Sequence, residues 1–150
     1  MRKAVIIAVP CLFMLTAGFA FAQIWEKYTP SKEVWSIIRI KVEPNKINDY
    51  LDGLHKTYVP GIEIAKKNGT IVDYRILRNI NSRTGDANIV IIEQYSNWEA
   101  VAPNKERDLK ALAEFRAILS KDQDEKTGDE YNKYRKFVDE ELYWGIEFVK

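Results

Sequence analysis

Ile89-Val90-Ile91-Ile92 sets four apolar residues in succession, and this run restricts the fold more than any other feature of the chain. Neighbours in a strand point to opposite faces, so such a run belongs in a central strand covered on both sides. The strand is predicted over Ala87 to Ser96, and a second over Thr70 to Ile80, with the polar connector Asn81-Ser82-Arg83-Thr84-Gly85-Asp86 as a hairpin loop. Upstream, Val34, Ser36, Ile38, Ile40 and Val42 alternate along one face of a strand, while Trp35 and Ile37 begin the other.

Helical spacing fills the gaps. Ile47, Leu51, Leu54 and Tyr58 step by four, three and four residues, which predicts a helix that breaks at Pro60-Gly61, resumes over Ile62 to Lys67 and stops at Asn68-Gly69. Lys105 to Leu119 reads as an amphipathic helix with Leu109, Leu112, Phe115 and Leu119 inside. Residues 120–129 are wholly polar and read as an insertion loop, followed by a short helix over Glu130 to Glu140 and a closing strand over Leu142 to Val149. The order β-α-β-β-α-(α)-β predicts an α+β fold, the ferredoxin-like split βαβ arrangement with helices on one face of an antiparallel sheet.

The strands carry apolar residues on both faces. Because helices cover only one, the other is expected to be shielded by a second copy of the chain, a homodimer through the sheet face. The element order and the segment Ile89-Val90-Ile91-Ile92-Glu93-Gln94-Tyr95-Ser96-Asn97-Trp98-Glu99-Ala100 resemble the dimeric α+β barrel superfamily, in its antibiotic-biosynthesis-monooxygenase-like branch. The resemblance covers roughly Val34 to Val149. It implies paired sheets around a pocket. The superfamily includes cofactor-independent oxygenases, isomerases, haem-binding enzymes and domains without assigned activity, so it implies a pocket rather than one reaction. The residues themselves call for no cofactor, and the resemblance leaves haem open.

The N-terminus has the form of an export signal. Met1-Arg2-Lys3 is a short basic start, Ala4 to Phe19 is almost wholly apolar, and Ala20-Phe21-Ala22 offers a cleavage site before Gln23. The apolar stretch falls short of the roughly 20 residues that span a bilayer, so residues 1–22 are expected to be removed without leaving a membrane anchor. Residues 23–33 then form an N-terminal arm ahead of a single domain, 34–150, in a periplasmic or secreted protein. Cleavage takes with it Cys11, the only cysteine, and two of the 23 basic residues but none of the 22 acidic ones. The near-neutral product has no basic stripe for nucleic acid and no thiol for a disulfide, so burial alone must hold it.

Candidate chemistry is sparse. His55, the only histidine, is the candidate catalytic residue, as general base, hydrogen-bond partner or axial haem ligand. Its place beside the Leu51/Leu54/Tyr58 stripe rather than within it favours a surface or rim position. One imidazole and no mature thiol exclude a zinc site within one chain. Asp122, Asp124 and Glu125 lack the glycine and ligand spacing of a calcium loop, so no metal site is expected. Tyr74, Tyr95 and Trp144 are the candidate ligand-binding residues, aromatic side chains on strands that could face a flat organic molecule or simply pack in the core. Two readings follow: an exported protein that binds a small apolar or aromatic ligand in a pocket between the sheet faces of a homodimer, or a cofactor-independent monooxygenase-like enzyme.

Overall fold

The computed structural model describes residues 24–149; the expected signal peptide lies outside them. Contacts divide the chain into two units, with breaks after residues 31 and 145. In the first, the described residues 24–31 and 146–149 are tied by a hydrogen bond from Val149 N–H to Lys27 C=O, 3.0 Å. The second, residues 32–145, holds the core and the cavities described below.

Four antiparallel strands build the sheet: β1 (Tyr28–Val42), β2 (Ile71–Arg78), β3 (Ile89–Tyr95) and β4 (Arg135–Phe148), in the order β2-β3-β1-β4. β3 is central, as its four-residue apolar run predicts. The register sets Ser36 opposite Glu93, Ile38 opposite Ile91 and Ile40 opposite Ile89, with Tyr74 and Ile76 of β2 opposite Glu93 and Ile91. β1 begins at Tyr28, so the expected arm over 23–33 is in its second half already strand. Asn88, 2 % exposed, extends the β1–β3 ladder with its amide. Its Oδ1 accepts from Val42 N–H at 2.8 Å and its Nδ2 donates to Val42 C=O at 2.7 Å.

After a single 3₁₀ turn at Pro44–Lys46, helix α1 (Ile47–Lys56) buries Ile47, Tyr50 and Leu54. The helical path breaks at Thr57, not at Pro60-Gly61 as the sequence suggests; Thr57 N–H closes α1 on Gly53 C=O, and α2 (Tyr58–Lys67) starts immediately. Pro60 then sits in the first turn of α2, where a helix has no use for the missing N–H. α2 is stopped just past its C-cap, Asn68, by Gly69, whose φ of +76° suits the left-handed stop and lets Thr70 N–H reach Ala65 C=O.

Three further expectations are corrected. Helix α3 (Trp98–Val101) is followed by α4 (Lys105–Arg116), but Leu109 and Leu112 are about half exposed, while Arg107, Ala111 and Phe115 lie on the half-buried side. The polar stretch 120–129 is not a loop: it forms α5 (Lys121–Asn132), because Ser120 and Gln123 cap it reciprocally, Arg116 pairs with Asp124 at 3.1 Å and Lys121 with Glu125 at 3.4 Å. The helix expected over Glu130 to Glu140 stops at Asn132, and its second half is strand β4, where Asp139 and Glu141 reach Arg39 of β1 at 2.7 and 2.9 Å. No helix among the described residues is long and apolar enough to cross a membrane.

Alternation sorts the two faces of the sheet. Val34, Ser36, Ile40, Ile89, Ile91 and Glu93 are buried on the helix side. Trp35, Ile37, Val90, Ile92 and Leu77 point the other way, flanked by Arg39 with its acidic partners. The guanidinium is held above its ordinary range by its bonds to Glu141 and Asp139, and Glu141 below its own by the Tyr143 hydroxyl and Arg39.

Candidate functional site

Between the helix side of the sheet and the helices lies a cavity of about 470 Å³. Its floor is Ile38, Ile40 and Ile91; α1 and α2 contribute Tyr50, Leu54, Tyr58, Gly61 and Ile62; Phe115, Tyr131 and Phe137 line the sides. The strand alternation that buries the isoleucines is the reason the floor is apolar. Its volume falls in the range of small-molecule sites, and its few polar groups (Thr57, Asp124, Thr127 and Arg135 among them) suit orientation of a ligand more than its solvation.

Tyr58 connects this cavity to a buried carboxylate. Glu93, 7 % exposed, accepts hydrogen bonds from the hydroxyls of Tyr58 and Tyr95 on its two oxygens, each at 2.7 Å. No cation pairs with it among the described residues; the two phenols are its donors. Ser36, directly across the β1–β3 ladder, is 1 % exposed and its hydroxyl has no partner among the described residues. Tyr74 packs edge-on to Tyr58 at 6.1 Å between ring centroids and lies under the Lys66 ammonium at 5.4 Å.

Burial, then the Glu93 charge, holds the Tyr58 hydroxyl well above the usual phenol range; burial, then the bond to Glu93, does the same for Tyr95. A tyrosine kept neutral in the fold beyond its ordinary value of 10.0 contributes stability that is intact below that pH and is lost as the pH rises through it, because the unfolded chain sheds the proton first. Stepwise urea titrations are therefore expected to show a flat midpoint up to about pH 10 and a decline above it. In a Tyr58→Phe/Tyr95→Phe variant that decline should be shallower.

The candidate residues do not converge. His55 is exposed on α1 and does not line this cavity. Tyr74 and Tyr95 both belong to the tyrosine cluster around Glu93, Tyr74 through Tyr58 and Tyr95 by direct bond. Trp144 is 52 % exposed and packs edge-on to Trp98 at 5.9 Å, apart from both. Glu93 itself escaped sequence reasoning, although its acidic side chain two residues after Ile91 falls on the buried parity of the strand. Tyr50, Tyr131, Tyr134 and Arg135 form a second aromatic cluster at the cavity's far side that the sequence did not single out. No group of three or more metal-ligating side chains is gathered among the described residues.

No family model and no curated protein sequence matches the chain. Among solved structures, a dimeric ferredoxin-like protein from an uncultured marine organism is similar over 78 % of this chain and 96 % of its own, with 13 % identity and a TM-score of 0.48. A NIPSNAP family protein of unknown function from Agrobacterium tumefaciens is similar over 78 % and 91 %, with 19 % identity and a TM-score of 0.45. SnoaB, a cofactor-independent oxygenase from Streptomyces nogalater, is similar over 75 % and 92 %, with 12 % identity and a TM-score of 0.43. The likeness is one of fold. The chain's own β2-β3-β1-β4 order, with its helices on one side, is a ferredoxin-like α+β arrangement.

Proposed function

We propose that each subunit binds a small, flat, predominantly apolar molecule in the cavity between its own sheet and helices. The observation that carries this reading is the cavity itself: about 470 Å³, open to solvent on one side and lined by Ile38, Ile91, Leu54, Phe115 and Phe137, a mostly apolar concavity of the kind that takes small ligands. In this reading the ligand lies inside one chain instead of between the two sheet faces of a dimer. Gly61 provides the test, since a side chain there would enter the cavity and a Cβ meets only Phe115, at an ordinary 3.6 Å. The neutral fluorophore N-phenyl-1-naphthylamine is expected to bind the wild type and to lose at least about tenfold in affinity in Gly61→Leu, an effect of roughly 1.4 kcal/mol. Equal binding by both would reject the cavity as the site.

We also infer that the protein acts outside the cytoplasm after loss of residues 1–22, as a homodimer joined through the face carrying Trp35, Ile37 and Ile92. What supports the dimer is the apolar centre of that face, with the Arg39–Asp139–Glu141 network beside it as the element that fixes register. A native mass equal to two copies of residues 23–150 is expected for the exported protein, and Ile37→Lys should shift it to one copy; a wild-type single copy would refute the pairing.

One observation favours the second reading, a cofactor-independent oxygenase-like enzyme. A substrate hydroxyl in the cavity can pass its proton to the Tyr58 oxygen as Tyr58 passes its own to Glu93 at 2.7 Å, which supplies the substrate anion that such chemistry starts from. In this reading His55 has no part, and Tyr58→Phe abolishes turnover while leaving probe affinity intact.

A further inference from the structure

The charge at the cavity wall is unbalanced. Among the lining residues Asp124 and Arg135 carry formal charge, and Asp124 is already bonded to Arg116 at 3.1 Å. Arg135 has no carboxylate partner among the described residues. Its hydrogen bonds run from Nε and Nη2 to Asn132 Oδ1, at 3.4 and 3.3 Å, and from Nη1 to the Tyr50 hydroxyl, at 3.4 Å. All three are long for N–H···O bonds.

Three aromatic rings fix the guanidinium in place. Its central carbon lies 4.8 Å from the ring centroid of Phe137, 5.2 Å from Tyr131 and 5.9 Å from Tyr50. Contact with ring faces attracts the cation without neutralising it, and narrows the orientations open to the planar donor fork. A fork so held, beside an apolar cavity and with its donors weakly used, is suited to a planar anion that can accept two parallel hydrogen bonds.

We propose that the ligand is an amphipathic acid: a flat apolar body that occupies the cavity and a carboxylate that docks on Arg135. This rests on the cavity reading above and adds the ligand's chemical class to it. Neutral apolar molecules of the same shape bind, and the acid binds better. The selectivity belongs to the guanidinium fork, so a lysine at the position restores only part of it.

The test compares two probes of one skeleton, 2-naphthoate and naphthalene-2-methanol, by titration calorimetry at neutral pH on the wild type, Arg135→Met, Arg135→Lys and Gly61→Leu. The wild type is expected to favour naphthoate by at least about tenfold, with the preference shrinking as salt is added. Arg135→Met should erase the preference while holding the alcohol within about twofold, and Arg135→Lys should retain an intermediate preference. Gly61→Leu should weaken both probes together. Wild-type protein that binds both probes equally, with Gly61→Leu still blocking both, would overturn the acid proposal and leave the cavity reading standing. Binding that Gly61→Leu does not affect would overturn the two together. If Arg135→Met loses both probes equally, Arg135 supports the wall instead of reading the anion, and the proposal also falls.

Discussion

Replacing Tyr131 with alanine is expected to lower the stability of the folded chain by about 3–5 kcal/mol, the usual range for removing a large buried aromatic side chain. Tyr131, 6 % exposed, is the only buried residue of α5 and packs edge-on to Tyr50 at 5.2 Å and Tyr134 at 6.2 Å. The remainder of α5 is polar, so this one ring joins the helix to the core. It fits because Gly53 on α1 has no side chain: a Cβ there would lie 2.5 Å from Tyr131 Cζ and 2.6 Å from Cε1. Gly53→Ala in the wild type should therefore cost about 1–3 kcal/mol through overpacking. On the Tyr131→Ala background the same change should be stabilising, by up to about 1 kcal/mol, since alanine is the better helix former once the ring is gone. Chemical denaturation of the four proteins gives both numbers and their coupling. A Gly53→Ala effect of one sign in both backgrounds would show that the ring does not dock on α1.

The second large effect is expected at Glu93. The Tyr58→Phe/Tyr95→Phe double variant leaves a buried carboxylate without its two donors, at a cost of about 3–5 kcal/mol. Adding Glu93→Leu to that variant should recover most of the loss, because removing both sides of a buried polar interaction together is far less costly than removing one. Urea midpoints of wild type, double and triple variants decide the matter, and a triple variant no more stable than the double would mean that Glu93 was not dependent on the phenols. The comparison also bears on function. If the triple variant is as stable as the wild type, the fold has no need of the cluster, a result in keeping with the proton path proposed from the cavity through Tyr58.

Where the expectation failed, one physical cause recurs. Residues 120–129 contain no apolar stripe, so hydrophobic periodicity is silent there, although Ser120 and Gln123 stand at the spacing of a capping box. What turns the segment into α5 is the notch at Gly53, 78 residues from Tyr131 in the chain, together with Arg116 reaching Asp124. Over Glu130 to Glu140 the spacing of Tyr131, Tyr134 and Phe137 imitates a helix. The stretch from Arg135 is drawn out as strand beside β1, where Asp139 and Glu141 find Arg39, a partner about a hundred residues away. Local propensity is a weak guide wherever such distant partners supply the energy.

Sequence alone determined the elements that bury their own repeating pattern: the alternation of Val34 to Val42, the double-sided run Ile89 to Ile92, the α1 stripe through Ile47 and Leu54, and from their order the α+β, ferredoxin-like class. These features are local, and water imposes them on any chain that carries the pattern. Only the tertiary structure decided the site. The Tyr58–Glu93–Tyr95 clamp, the Tyr131 ring seated against Gly53 and the Arg135 fork between Tyr50, Tyr131 and Phe137 each join residues from different elements. Hydrogen bonds and ring contacts act over a few ångströms, so a one-dimensional spacing carries no trace of them until the sheet register and helix placement have brought their members together.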